Sequence, residues 1–421
     1  MNTQATNALT FRGVWKTLGP GILYAGAAVG ASHLVLSTQA GASYSYRLIG
    51  AIILINLFKY PFFEFTYRYT AATGKSVLDG YRKLGKWALI TFFLLSAATA
   101  IVNFAAVTKV TADLATYIFN INLSPFASST GLLGIVLLML FFGRYAFLDT
   151  VMKIMIAILA FFTIVAFFFA LSTGSNVEPG FVHPPLWDTA AITFMIALMG
   201  WMPTPIEASV WPSLWAIERG KQTNYRPSFR EFHLDFHVGY IGSAVLALFF
   251  LGLGALVMYG TGETFSANGV VFSQQLVSLY SKSIGSWSTM FIAVIVLITM
   301  FSTALTVIDG YPRSLEGSML ELFPSLKMFG RGLYLFWIVV LAVAAVVIIV
   351  FFTKNMGSLL KFATILSFLA APVFAIINYK VVTSTFMPPE NQPKRWLKIL
   401  SWAGISFLIL FSLIYLIYIL F

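Results

Sequence analysis

The sequence predicts an all-helical integral membrane protein with eleven transmembrane helices. Three observations carry that reading. Of 421 residues, 59% are hydrophobic and only 10% are charged. A soluble chain carries about 25% charged residues to cover its surface. Apolar stretches near the length of about 20 residues that spans a bilayer core recur along the whole chain. The cations collect in alternate connections between those stretches, as the positive-inside bias requires. The formal charge of +11 is read as that loop bias, not as a nucleic-acid footprint. A soluble enzyme, a nucleic-acid binder and a disordered chain are excluded. With no cysteine, disulfides, thiolate metal sites and iron–sulfur clusters are excluded too.

In order, the apolar segments are 18–44, 46–71, 87–118, 129–148, 150–172, 188–217, 236–260, 285–311, 332–352, 358–379 and 397–420. The stretch from Met1 to about Thr17 is polar and runs straight into the first segment, so no cleavable leader is expected. Connections are short, so residues 1–421 are expected to form a single transmembrane domain. With the N-terminus in the cytoplasm, Arg12, Lys16, Arg68, Lys75, Arg82, Lys83, Lys86, Arg144 and Lys153 fall inside. So do Arg219, Lys221, Arg226, Arg230, Arg313, Lys327, Arg331, Lys380, Lys394, Arg395 and Lys398. Only Arg47, Lys282 and Lys354 fall outside. The expected topology is N-terminus cytoplasmic and C-terminus extracytoplasmic in a bacterial inner membrane. Membrane lipid is the one macroscopic partner expected, and the oligomeric state stays open.

Two segments are interrupted near their middles. The first carries Gly26, Gly30, Ala31 and Ser32, and the sixth carries Gly200, Pro203 and Pro205, then Pro212. Proline removes a helical donor and clashes with the preceding turn. Non-helical backbone at membrane depth survives only where protein or a wet cavity surrounds it. Breaks in corresponding positions of two halves predict inverted repeats with a site at the midplane. The halves are 18–172 and 188–379, with 397–420 as an extra eleventh helix.

The residues around these breaks resemble a known family. Gly19-Pro20-Gly21 through Gln39-Ala40-Gly41-Ala42-Ser43, then Ala72-Thr73-Gly74-Lys75 and Met202-Pro203, resemble the natural resistance-associated macrophage protein (NRAMP) family of metal-ion transporters. The resemblance implies a LeuT-like fold of two inverted five-helix repeats plus one helix. It also implies secondary transport by alternating access. The departures are specific. The family's Asp-Pro-Gly-Asn signature falls on Gly30-Ala31-Ser32-His33, so the metal-binding Asp is absent and His33 stands for the Asn. Met202 keeps the position of the family's thioether ligand, but Thr204 replaces the following His, and Ser209 stands where a second His is common. Of an Asp-x-x-Glu pair on the family's proton route, Asp113 remains and Thr116 replaces the Glu.

These residues define the expected site: Gly30, His33, Met199, Met202, Thr204 and Glu207, with His33 and Met202 as metal ligands. Imidazole and thioether suit a transition metal better than Mg²⁺ or Ca²⁺. Loss of the Asp removes roughly 10 kcal/mol of Coulomb attraction for a divalent ion at about 3 Å, before desolvation is subtracted. The alternative is a small organic or anionic solute, because half-helix N-termini at the breaks favour negative charge. A transported metal ion would be cargo; no resident cofactor is expected. His33 titrates near neutral pH when unperturbed, which would allow proton exchange against a metal.

Charged groups inside spans are costly and are functional or paired. Lys109 and Asp113, four apart on the third span, share a face as an ion pair or a proton and gating relay. Asp309 either pairs with Arg313 or lines an inner vestibule as a gating group. Lys59 and Glu64 are read as snorkelling or structurally paired. His233 and His237 have zinc-pair spacing without a third ligand and are read as surface residues. No metalloprotease, nucleophile-elbow or phosphate-loop motif supports an enzyme.

Overall fold

The computed structural model describes residues 11–142, 145–174, 177–225, 227–266, 268–351 and 355–420. Arg144, Arg226 and Lys354, and the stretch 1–10, lie outside the described residues, as does the side chain of Arg12. The described residues contain helices and turns and no strand, as backbone in a hydrocarbon environment demands.

Nine stretches among the described residues are long and apolar enough to cross a membrane. The first, Pro20–Thr73, has 54 residues, about 80 Å if straight at 1.5 Å per residue. A bilayer core is about 30 Å thick, so it must fold back. It does so at Ser45, whose φ of 54° reverses the chain. Span 1 is therefore Pro20–Tyr44 in pieces and span 2 is Ile49–Thr73. The shorter apolar helix Pro125–Phe142 supplies span 4. With Lys86–Ile118, Tyr145–Thr173 and Thr189–Thr223 as spans 3, 5 and 6, and Phe229–Val257, Thr289–Leu322, Gly332–Phe351, Met356–Thr383 and Arg395–Leu420 as spans 7 to 11, the total is the expected eleven.

Boundaries differ where polar residues continue a helix. Span 7 begins at Phe229 rather than 236, because Ser228 and Glu231 form a reciprocal capping box that stabilises a polar first turn. Span 8 runs past its apolar stretch to Leu322. Span 4 ends at Phe142 and span 5 begins at Tyr145, where the sequence placed these bounds at 148 and 150. Three α-helices outside the spans, Phe11–Thr17, Val77–Leu84 and Gly269–Ile284, were not expected, since none is long and apolar enough to read as a span.

Span 7 packs along both pieces of span 1 and along span 2; span 8 lies along span 3, and span 10 lies against span 3 and the first half of span 6. Backbones of spans 1 and 7 touch through glycine. A Cβ on Gly41 would fall 1.9 Å from the Leu251 carbonyl, and one on Gly254 would fall 2.0 Å from that of Thr38. Small residues permitting such approach drive helix association where lipid offers no hydrophobic force.

Candidate functional site

Span 1 breaks after the helix Pro20–Ala28, at Val29–Gly30, and resumes through a wide π-type turn, Ala31–Ser37, into Thr38–Tyr44. Gly30 lets span 8 close on the break: a Cβ there would meet Thr303 Oγ1 at 2.1 Å. Thr303 instead donates to the Gly26 carbonyl at 2.8 Å, one of the carbonyls that the break leaves without a helical partner.

Span 6 breaks after Thr189–Trp201; Met202, Pro203, Thr204 and Pro205 are irregular, and the chain resumes through Ile206–Ser209 into Val210–Thr223. A cavity of about 30 Å³ lies between the two breaks. Its walls are Ala27, Ala31, Val107, Val307, Pro203 and Pro205, with the rings of Trp201, Trp211 and Tyr311. The polar groups on it are Ser32, Asn103, Thr204 and Thr303. Trp211 and Tyr311 meet edge to face at 4.9 Å. The buried Trp211 Nε1 has no hydrogen-bond partner.

Of the residues singled out in the sequence, Thr204 lines this cavity and Gly30 shapes its roof, whereas His33, Met199, Met202 and Glu207 do not line it. His33 is fully buried and turned toward span 7. Its Nε2 lies 2.9 Å from the Ser243 carbonyl and must donate to it. Its Nδ1 lies 2.6 Å from Ser32 Oγ. Both nitrogens of His33 are thus engaged by protein partners in this conformation. Met202 is fully buried and does not line the cavity. Among the described residues, no three His, Asp or Glu side chains are placed to hold a metal ion together.

Glu207 sits behind Tyr311, which donates to its Oε1 at 3.2 Å; Oε2 is buried without a hydrogen-bond partner. Tyr311 in turn accepts from Asn103 Nδ2 at 2.5 Å, and Asn103 also donates to Ser367 at 3.0 Å. A polar chain thus runs from the cavity wall to the carboxylate.

The principal feature missed in the sequence is Lys59. It neither snorkels nor pairs with Glu64. Fully buried, it donates to the carbonyls of Met199 at 2.7 Å, Gly200 at 2.9 Å and Thr204 at 3.1 Å. These are the carbonyls released by the break in span 6. The signal in the sequence was its position, eleven residues into span 2, too deep for a stem to reach the interface.

The remaining charges are accounted for locally. Lys109 and Asp113 form the expected pair at 2.9 Å. Asp309 receives Arg313 at 2.6 and 3.0 Å, Trp215 Nε1 at 2.9 Å and Tyr334 at 2.7 Å, so it pairs with Arg313 and ties spans 6, 8 and 9. Glu64 is held by Arg68 at 2.5 Å and by His233 at 2.8 Å. His237 meets the Tyr60 hydroxyl at 2.8 Å. The two histidines are therefore partly buried partners of span 2, not free surface residues.

The comparisons with known proteins fit this architecture. Residues 21–418 match the family model described as natural resistance-associated macrophage protein-like. The chain belongs to the NRAMP family. A relative from Pasteurella multocida (strain Pm70), itself uncharacterized, is 39% identical over 98% of this chain and 94% of its own length. Among solved structures, a manganese transporter variant from Eremococcus coleocola superposes with a TM-score of 0.74 at 14% identity, over 97% of this chain and 89% of that one. Mhp1, a nucleobase-cation-symport-1 family transporter with bromovinylhydantoin bound, gives 0.62 at 16% identity, over 96% and 91%. MhsT with L-phenylalanine gives 0.60 at 14%, over 94% and 98%. These establish the LeuT-like fold, and membership of the NRAMP family makes the chain a membrane transporter.

Proposed function

We propose that this NRAMP member is a secondary transporter that moves a small organic solute by alternating access, through the cavity between the broken spans. The observation that supports this cargo is the cavity lining. Three aromatic rings, two prolines and aliphatic groups line it, with hydroxyls and one amide; the Trp211 ring on this wall also carries an unpartnered N–H. A divalent ion needs several oxygen, imidazole or thiolate ligands converging at about 2.0–2.6 Å. Aromatic walls with a few placed polar groups are what small organic molecules use; at about 30 Å³ the cavity is occluded here and must widen in another transport state to admit one. The Trp211 donor selects a solute with an acceptor, a carboxylate or carbonyl. The same fold holds a hydantoin in Mhp1 and L-phenylalanine in MhsT.

A metal ion is the second reading. Family membership and the manganese-transporter neighbours favour it, and so does the unpartnered Glu207 oxygen. It requires His33 to leave its two partners in another transport state. Proton coupling, in either reading, would run through Glu207 and the Tyr311–Asn103 chain. The cation bias of the connections supports a cytoplasmic N-terminus.

The test is uptake and counterflow in proteoliposomes. One arm uses amino acids, keto and hydroxy acids and nucleobases; the other uses Mn²⁺, Cd²⁺ and Zn²⁺. Saturable counterflow of an organic solute that Trp211→Ala abolishes is the expected result. Saturable Mn²⁺ uptake lost in His33→Ala and Met202→Ala would replace this reading with the metal one.

A further inference from the structure

The break in span 6 creates a cation site, and a side chain fills it. The first half-helix, Thr189–Trp201, ends at membrane depth. Its last carbonyls have no intrahelical partner and carry the negative end of the helix dipole. Met199 and Gly200 supply two such carbonyls, and Thr204 turns a third toward the same point. In broken-helix transporters, unwound carbonyls and half-helix C-termini of this kind coordinate a Na⁺ or a proton. Here three oxygens converge on Lys59 Nζ at 2.7, 2.9 and 3.1 Å. Three carbonyl acceptors demand three N–H donors, which only the ammonium form provides. The stem of Lys59 comes from span 2, so the charge is covalently held and cannot be transported.

We infer that Lys59 is a resident cation: its ammonium takes the place of an inorganic cation at the span 6 break, so the transporter binds its cargo without Na⁺, K⁺ or a divalent ion at that position. A corollary follows from geometry. Removing the ammonium exposes three convergent carbonyls, which a mobile cation would then occupy. Thr204 joins this site to the cavity, since its carbonyl accepts from Lys59 while the residue lines the cavity wall. The inference rests on the cargo reading above only in the clause about cargo binding; the carbonyl cage stands apart from it.

The experiment compares thermal unfolding of the purified full chain in N-methylglucamine, Na⁺, K⁺ and Mn²⁺ chlorides at matched ionic strength. The parent is expected to melt at one temperature in all four. Lys59→Ala opens the cage and is expected to melt several degrees lower in N-methylglucamine, with saturable recovery in one of the inorganic cations. Lys59→Met fills the same space with an apolar stem and is expected to show the loss without the recovery. Equal responses of the Ala and Met variants to the cations would overturn the inference. So would a saturable Na⁺ or K⁺ shift in the parent, whereas a Mn²⁺ shift there reports metal cargo and overturns the cargo reading instead. Should neither variant fold, the parent decides alone through its own cation response. If no organic solute binds while Lys59→Ala still recovers with a cation, the cargo reading fails and the resident cation stands.

Discussion

Asp235 on span 7 caps the first turn of span 1 by accepting from the backbone N–H of Gly19 at 3.0 Å and of Gly21 at 2.7 Å. The contact is close enough that a Cβ on Gly21 would fall 2.0 Å from the Asp235 carbonyl. Two cations hold the chain just ahead of that turn: Arg219 donates to the Lys16 carbonyl at 2.9 Å and Lys153 to that of Leu18 at 2.9 Å. The first half of span 1 is thus held by side chains of spans 5, 6 and 7.

Loss of that cap should loosen this end of the molecule. Capping carboxylates at a helix start contribute about 1 kcal/mol, up to about 2. Asp235→Ala should therefore lower the melting temperature by a few degrees. The chain contains no cysteine, so a single Ala25→Cys reports access to the buried half-helix cleanly. Its labelling by a membrane-impermeant thiol reagent should rise in the Asp235→Ala background. Gly21→Ala should cost more than Asp235→Ala, because backbone meets backbone there and no side chain can give way.

Trp211 offers the sharpest test of cargo recognition. Its indole N–H has no protein partner, so Trp211→Phe keeps the aromatic wall and removes no intramolecular bond. Stability should change little. A neutral hydrogen bond contributes about 0.5–1.5 kcal/mol, so solute affinity should fall about three- to tenfold. Isothermal titration or a substrate-dependent thermal shift reads both quantities on one sample. Unchanged solute affinity would show that the N–H takes no part in recognition, while any loss of stability reports the space left by the smaller ring.

What the sequence allowed to be read divides along a physical line. The spans and both breaks were legible, because hydropathy and the positions of Pro203 and Pro205 are local facts. So was the Lys109–Asp113 pair, whose spacing alone puts both groups on one face. The direction of His33 was not legible: the π-type turn Ala31–Ser37 rotates it away from where a regular helix would aim it. Lys59 was misjudged because its partners are backbone carbonyls more than a hundred positions away, and carbonyls leave no mark in a sequence. The capping role of Asp235 was not legible either, since a cap across spans depends on packing.

The helix Val77–Leu84 between spans 2 and 3 carries a pH-sensitive contact outside the membrane. Burial alone would push the Asp79 carboxyl up. Hydrogen bonds from Tyr69 and Lys83 and the charges of Lys83 and Lys75 outweigh it and hold the group at about 2, below its ordinary 3.8. A depressed carboxyl stabilises the fold fully above its unfolded value, and that contribution is lost as pH falls through the folded one. Stability should be flat in this respect above pH 4 and decline between about 4 and 2. Asp79→Asn should melt lower at neutral pH and lose that acid-dependent component, as pH-resolved thermal unfolding would record.

The pair Lys109–Asp113 separates a structural role from a relay. Both side chains are buried, and Asp113 packs against Gly269, where a Cβ would fall 1.8 Å from Oδ2. Removing one partner of a buried pair leaves an uncompensated charge and costs about 3–5 kcal/mol, whereas replacing both with apolar groups is often neutral. Lys109→Met and Asp113→Leu should each be strongly destabilised, and the double variant should recover most of the loss. The transport rate of the double variant then decides the role. Recovery of transport with stability makes the pair a strut between span 3 and the helix Gly269–Ile284. A stable but inactive double variant makes the charge itself necessary, because the only thing it lacks is a group that can hold or pass a proton.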